Sequence, residues 1–235
     1  AAPIAEDYGL LELAQPLLDA TAVLLPNDDV PLLNPDRSTV HFVSERSGRT
    51  SPGLAIHQAP IPDEHLVSVD GILLTSIGRT VCDVARLGNL RQAVCALDSG
   101  LYQGRIREQP IDLAAIVDAL GPCHGINVLR TALLLATDLS ESIGETISRC
   151  ICESELIPDP ELQVVITLPD GTMYRCDFGW RDSEGNLRVV GEFDGRLKYV
   201  ERDVLYEEKV REDALRALGC DQGQGYLFGK PVVLE

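Results

Sequence analysis

The sequence predicts an α+β or α/β protein in two parts: a small β-element followed by helices, then a mixed sheet flanked by helices. Three observations predict it. Short runs of strand character fill Ser38 to Ser76, and the apolar spacing becomes helical from Ile77. After residue 140 the segments read helix, strand, strand, strand, helix, strand. Between Met173 and Lys198 two runs alternate with period two, the pattern of strands with two different faces.

Composition sets the frame for function. The 235 residues suffice for one or two domains with a sizeable core. Hydrophobic residues at 45% and charged residues at 24% are ordinary for a globular protein. A net charge of −17 argues against loose binding of nucleic acid over the whole surface, because phosphate contacts need Lys and Arg. It leaves room for a local basic patch or a metal-bridged contact. Seven cysteines, an odd number with no CxxC pair, suggest neither a disulfide framework nor a zinc site. Buried free thiols in a reducing cytoplasm are the expectation. No secretory leader is visible and no apolar run spans a bilayer, so the expectation is a cytoplasmic protein with no membrane contact. The first residue is not Met, as in a piece of a longer chain.

Residues 8–25 read as a helix interrupted at Pro16. STVHFV, GLAIHQA, HLVSV and GILLTS are short strands separated by Gly, Pro and Asp. IGRTVCDVARLG, LRQAVCALDSGL, IDLAAIVDALG and GINVLRTALLLAT are helices, several closed by Gly. Ser140 or Ser142 caps the next helix, which contains Glu145 and runs to Pro158. ELQVVITL is a strand, and Asp170-Gly171 turns the chain into TMYRCDFGW. Phe178 and Trp180 share a face that should be buried, while Arg175 and Asp177 point the other way. After the turn RDSEGN comes LRVVGEFDGRLKY, with Glu192 and Asp194 on one face. Tyr206 to Leu218 reads as a helix ended by Gly219, and QGYLFGKPVVL as a final edge strand.

Asp177, Glu192 and Asp194 therefore gather on one side of a sheet. Three carboxylates repel each other unless a cation or protons intervene. Oxygen-only ligands suit Mg²⁺ or Mn²⁺. Solvated acids on an exposed strand face are the ordinary alternative.

ESIGETISR, PDPELQVV, DGTMYRCDFGW, VVGEFDGRLKY and EEKVREDALRALG together cover about residues 141–219. They resemble the PD-(D/E)XK nuclease superfamily, and within it the domain related to very-short-patch-repair endonucleases. That domain occurs in AbiEi-like regulators of type IV toxin–antitoxin systems. His57 in AIHQAPIPDEHLVSVDG, and Thr75, Arg79, Thr80 and Asp83 in LLTSIGRTVCDVA, agree with the same family. The resemblance divides the chain into a helical remnant at 1–34, an AbiEi-like β-plus-helical domain at 35–140 and a restriction-endonuclease-like domain at 141–235. A winged helix-turn-helix normally precedes the middle region. Residues 1–34 are too few for it, so no recognition helix is expected here.

The resemblance also implies roles. Asp177 matches the metal-binding Asp of the second strand, Glu192 the acid of the third, and Glu145 the helix acid that completes the site. Asp194 stands where a standard motif carries the catalytic Lys, and Lys198 or Lys209 would supply the missing cation. Gln163 matches a Pro-x-Leu-Gln element and, with Lys209, Arg211 and Arg216, would contact phosphate; a plain edge polar residue is the other reading of Gln163, and pairing with neighbouring acids the other reading of Arg211 and Arg216. The bland alternative for these lysines is plain solvation. The closing LGCDQGQGYLFGKPV departs from the family and resembles the end of an EAL-type cyclic-di-GMP phosphodiesterase, read here as a substitute strand. The implied function is metal-dependent hydrolysis of DNA phosphodiesters in defence or toxin–antitoxin biology, with Mg²⁺ or Mn²⁺ as cofactor. The competing reading is an inactive nuclease-fold scaffold in an antitoxin or regulator, binding DNA, a toxin or a second copy of itself. Carboxylate oxygens of Asp177 and Glu192 within reach of one cation would favour the first, and salt bridges from Arg175 or Arg188 to them the second.

Overall fold

The structure, a computed structural model, describes residues 40–69, 71–193 and, as backbone, 221–223. The helices expected at 8–25 and at Tyr206–Leu218 lie outside the described residues, as do Asp194, Lys198, Lys209, Arg211 and Arg216. The chain divides between Asp138 and Leu139 into two compact units.

The first unit holds the small β-element. Strands β1 (Val40–Ser44), β2 (Arg49–Ser51) and β3 (Leu54–Gln58) form a sheet ordered β1-β3-β2. β1 runs parallel to β3, with Val43 opposite His57, and β2 runs antiparallel to it. β2 was not expected, because three polar residues carry no apolar alternation. Strands β4 (Leu66–Val69) and β5 (Ile72–Thr75) make an antiparallel hairpin. Gly71 supplies the positive φ of its turn, 82°.

Four helices follow, and local signals set their starts. In α1 (Ile77–Ala85) the Ser76 side chain accepts from the Arg79 amide. α2 (Leu90–Ile106) begins with a reciprocal capping box between Asn89 and Gln92. Asp112 caps α3 (Leu113–Leu120), and Gly125 opens α4 (Ile126–Leu135). Glycine ends only α3 here, at Gly121; α1 and α2 run into Arg86 and Arg107. Val81, Cys82, Val94, Leu97, Val117 and Leu129 fill the core. Gly100 lets Val81 pack directly on the α2 backbone, since a Cβ there would lie 2.8 Å from the Val81 side chain.

A row of charges lies within this apolar packing. Arg79 is fully buried; its Nε donates to Asp83 at 2.8 Å and its Nη1 to the Pro60 carbonyl at 2.6 Å. Arg86 Nε reaches the other Asp83 oxygen at 2.9 Å. The Thr75 and Thr80 hydroxyls bond at 2.7 Å beside them. The matched Thr75, Arg79, Thr80 and Asp83 thus tie β5 and the Pro60 loop to α1.

The second unit begins with α5 (Ile143–Ser154), capped by Ser142. The helix ends at Ser154, short of the expected Pro158. Leu156 takes a left-handed φ of 56°, and the Leu156 and Ile157 amides turn back to Glu153 and Cys152. This is a Schellman ending built without glycine, so no sequence signal announced it. Strands β6 (Glu161–Thr167), β7 (Met173–Arg181), β8 (Leu187–Gly191) and β9 (Asp221–Gly223) form one mixed sheet in that order. The first three are antiparallel, and β9 joins β8 in parallel. The described part of the last strand precedes QGYLFGKPVVL rather than lying within it.

Val164, Ile166, Cys176 and Val190 are the buried cluster of this sheet, and Phe178 is buried. Trp180 is only half-buried, because its indole N–H must reach the Pro158 carbonyl, at 2.7 Å. The six described cysteines are free; Cys82, Cys95 and Cys176 are buried, while Cys123, Cys150 and Cys152 are half-buried. Burial pushes the Cys82 thiol up to about 12, which makes it unreactive at neutral pH. Among the described residues no helix is long and apolar enough to cross a membrane.

Candidate functional site

Strand register assembles the site. Leu162 pairs with Phe178 and Val164 with Cys176, so Gln163 stands opposite Asp177. Phe178 pairs with Gly191, so the next position along sets Glu192 beside Asp177. By register Gln163 of β6, Asp177 of β7 and Glu192, the residue directly after β8, fall on one line across the sheet. The Gln163 backbone adopts a φ of 53° at this point.

The chain beyond β8 is fixed by two contacts. The Phe193 amide donates to Asp177 Oδ2 at 2.8 Å. The Phe193 ring covers Gly144 in the first turn of α5, where any Cβ would overlap it. Glycine at 144 is therefore required for the Glu192–Phe193 segment to lie against the helix. Glu192 is half-buried, with its Oε1 shielded from solvent.

Glu145 joins the row from α5. Its carboxylate accepts from the Ser142 hydroxyl at 2.7 Å, the Glu141 amide at 2.9 Å and Gln163 Nε2 at 2.9 Å. The Glu145 amide returns a bond to Ser142 Oγ at 3.2 Å. Burial raises the Glu145 pKa, the bonds from Glu141 and Ser142 oppose that shift, and the Asp177 and Glu141 charges add to it. Gln163, expected to contact phosphate, instead gives its amide N–H to Glu145. Its Oε1 is buried and has no hydrogen-bond partner among the described residues.

Arginines sit at the edge of this group. Arg175 places Nη1 and Nη2 on the two oxygens of Glu141, at 2.8 and 2.7 Å. That bidentate pair, followed by the charges of Asp177 and Glu145, raises the Arg175 pKa. Arg188 Nε faces Asp182 at 3.4 Å. Glu141, Gly144 and Phe193 had not been singled out in the sequence. Ser142 and Glu145 were, because S-x-x-E before an apolar run is a cap signature. A pairing such as Glu141 with Arg175, 34 residues apart, has no local signature.

Among the described residues no group of three or more His, Cys, Asp or Glu is placed to hold a metal ion. A hard cation of the magnesium kind takes oxygen ligands. Such an ion is held by one or two carboxylates, keeps several waters and takes substrate phosphate as further ligands. Asp177 lies in β7, and Glu192 directly follows Gly191, the last residue of β8, which pairs with Phe178.

The chain is similar to two mycobacterial proteins. They come from two strains of Mycobacterium tuberculosis, and each is named only as an uncharacterized protein. Both are 30% identical to it over 171 residues, which is 73% of this chain and 60% of the relative. The chain thus spans about 60% of the length of the curated relatives it matches. No family model and no solved structure matches it.

Proposed function

We propose that the second unit is a PD-(D/E)XK-type domain of the very-short-patch-repair kind, in an AbiEi-like protein, and that it hydrolyses DNA phosphodiesters with Mg²⁺ or Mn²⁺. One observation carries the reading: the register of β6, β7 and β8 brings Gln163, Asp177 and Glu192, the residue after β8, onto one line, and Glu145 is bonded to Gln163. Like-charged carboxylates are grouped there, an arrangement that a divalent cation stabilises.

Asp177 and Glu192 would hold the cation, which when bound lowers the pKa of a water and neutralises charge on the phosphate. The Phe193 amide fixes one Asp177 oxygen, Oδ2. Glu145 orients the Gln163 amide beside these two acids. The acids of the site repel a phosphate chain until their charge is offset, so DNA affinity depends on the divalent ion.

A second reading is a scaffold that binds a partner or DNA without cutting it. It is favoured by the three internal donors that already occupy Glu145, and by Asp194 in the place of the motif's Lys. Incubating supercoiled plasmid with the chain in Mg²⁺, Mn²⁺ or EDTA decides between them. Nicking or linearisation with metal, absent in EDTA and in Asp177→Asn, supports the nuclease. Intact plasmid under every condition leaves the scaffold.

A further inference from the structure

The first unit carries a histidine pair that the nuclease reading does not use. His41 lies opposite Ala55 in the β1–β3 register, two positions from His57, so both side chains are on one face of the sheet. His41 Nδ1 and His57 Nε2 are 2.8 Å apart. The ring planes differ by 8° and the centroids are 5.1 Å apart. That separation is the nitrogen–nitrogen distance plus roughly one ring radius at each end, by ordinary covalent geometry. The two nitrogens therefore lie on the line joining the ring centres. The rings meet edge to edge in a straight N–H···N bond and are not stacked face on face.

Such a bond has a fixed proton count. One nitrogen must carry the proton and the other must offer its lone pair. With one additional proton on the pair, the bond becomes an imidazolium donating to an imidazole, which strengthens it. A second proton has only the accepting lone pair inside the bond to enter. Two N–H groups and two positive charges would then face each other at contact, and the bond is lost.

We propose that the His41–His57 pair is a proton-gated clasp. It holds the edge strand β1 against β3 while it carries at most one additional proton, and it releases β1 when the second ring is protonated.

The surroundings of His57 resist that second proton. Burial lowers its pKa from the ordinary 6.5, followed by the His41 and Arg86 charges, and Asp83 opposes them. On the β2 side the position opposite His57 is Gly48, which brings no charge. Because the folded pKa is depressed, the pair's contribution is fully present above about pH 6.5 and falls away as the pH drops through the lower, folded value.

The test is amide hydrogen exchange on the full chain at about pH 7.5 and about pH 5, corrected for intrinsic exchange rates. The clasp predicts that β1 amides lose protection about tenfold more than those of the β4–β5 hairpin on acidification. In His41→Gln the excess loss should vanish. Imidazole ¹⁵N shifts of the unmodified chain give a second readout, which needs no variant. Opposite donor and acceptor roles at His41 Nδ1 and His57 Nε2 support the clasp. Equal protection changes in β1 and the hairpin, or two rings titrating independently in the ordinary histidine range, overturn it.

Discussion

In the first unit Arg79, Asp83 and Arg86 alternate in sign along and just past one helix, and the single carboxylate answers both guanidinium groups. In the second, the charges of Glu141 and Asp177 act on Glu145, and Arg175 closes on Glu141. The contrast separates two uses of half-buried charge. A set that neutralises itself braces packing, and its loss should be felt in folding. A set with an excess of one sign resists folding slightly, and under the proposed function its gain would come from what it binds.

Breaking the first set should have a large effect. Asp83→Asn leaves two buried guanidinium groups without their carboxylate and should cost about 3–5 kcal/mol in chemical denaturation. A cost near zero would show that the triad does not brace the unit. Phe178→Ala, in the packing behind the acidic row, should cost a similar ~3–5 kcal/mol. An unchanged melt would mean that Phe178 is not enclosed.

The second set should respond to pH with a smaller amplitude. The raised Glu145 pKa means that its contribution is fully present below the ordinary 4.5 and is lost as the pH rises through the folded value. Glu145→Gln keeps the volume and removes the titration. The stability-versus-pH curve of that variant should be flatter across this window. A curve parallel to that of the unchanged chain would contradict the burial of Glu145.

Much of this contrast was visible in the sequence, for identifiable reasons. Alternation in MYRCDFGW and LRVVGEF put Asp177 and Glu192 on facing strand positions, because a strand's period fixes its faces and a short turn fixes its partner. The S-x-x-E cap placed Glu145. Features with no periodic or capping signal were not visible. The polar β2, the glycine-free end of α5 at Leu156 and the left-handed Gln163 depend on tertiary contacts that override local propensity. Glu141 and Arg175 meet only once helix and strand are docked, and the same holds for Phe193 on Gly144.

The central claim is that the acidic row exists for a divalent ion. Calorimetric titration of the intact chain with Mn²⁺, in parallel with Asp177→Asn and Glu192→Gln, tests it most directly. Each substitution removes one charge and one hard ligand at nearly constant volume. The account predicts saturable heat in the intact chain, loss of that heat in both variants, and metal-free variants at least as stable as the parent because repulsion is relieved. No saturable heat at millimolar-order Mn²⁺, with DNA present as well as absent, would contradict it.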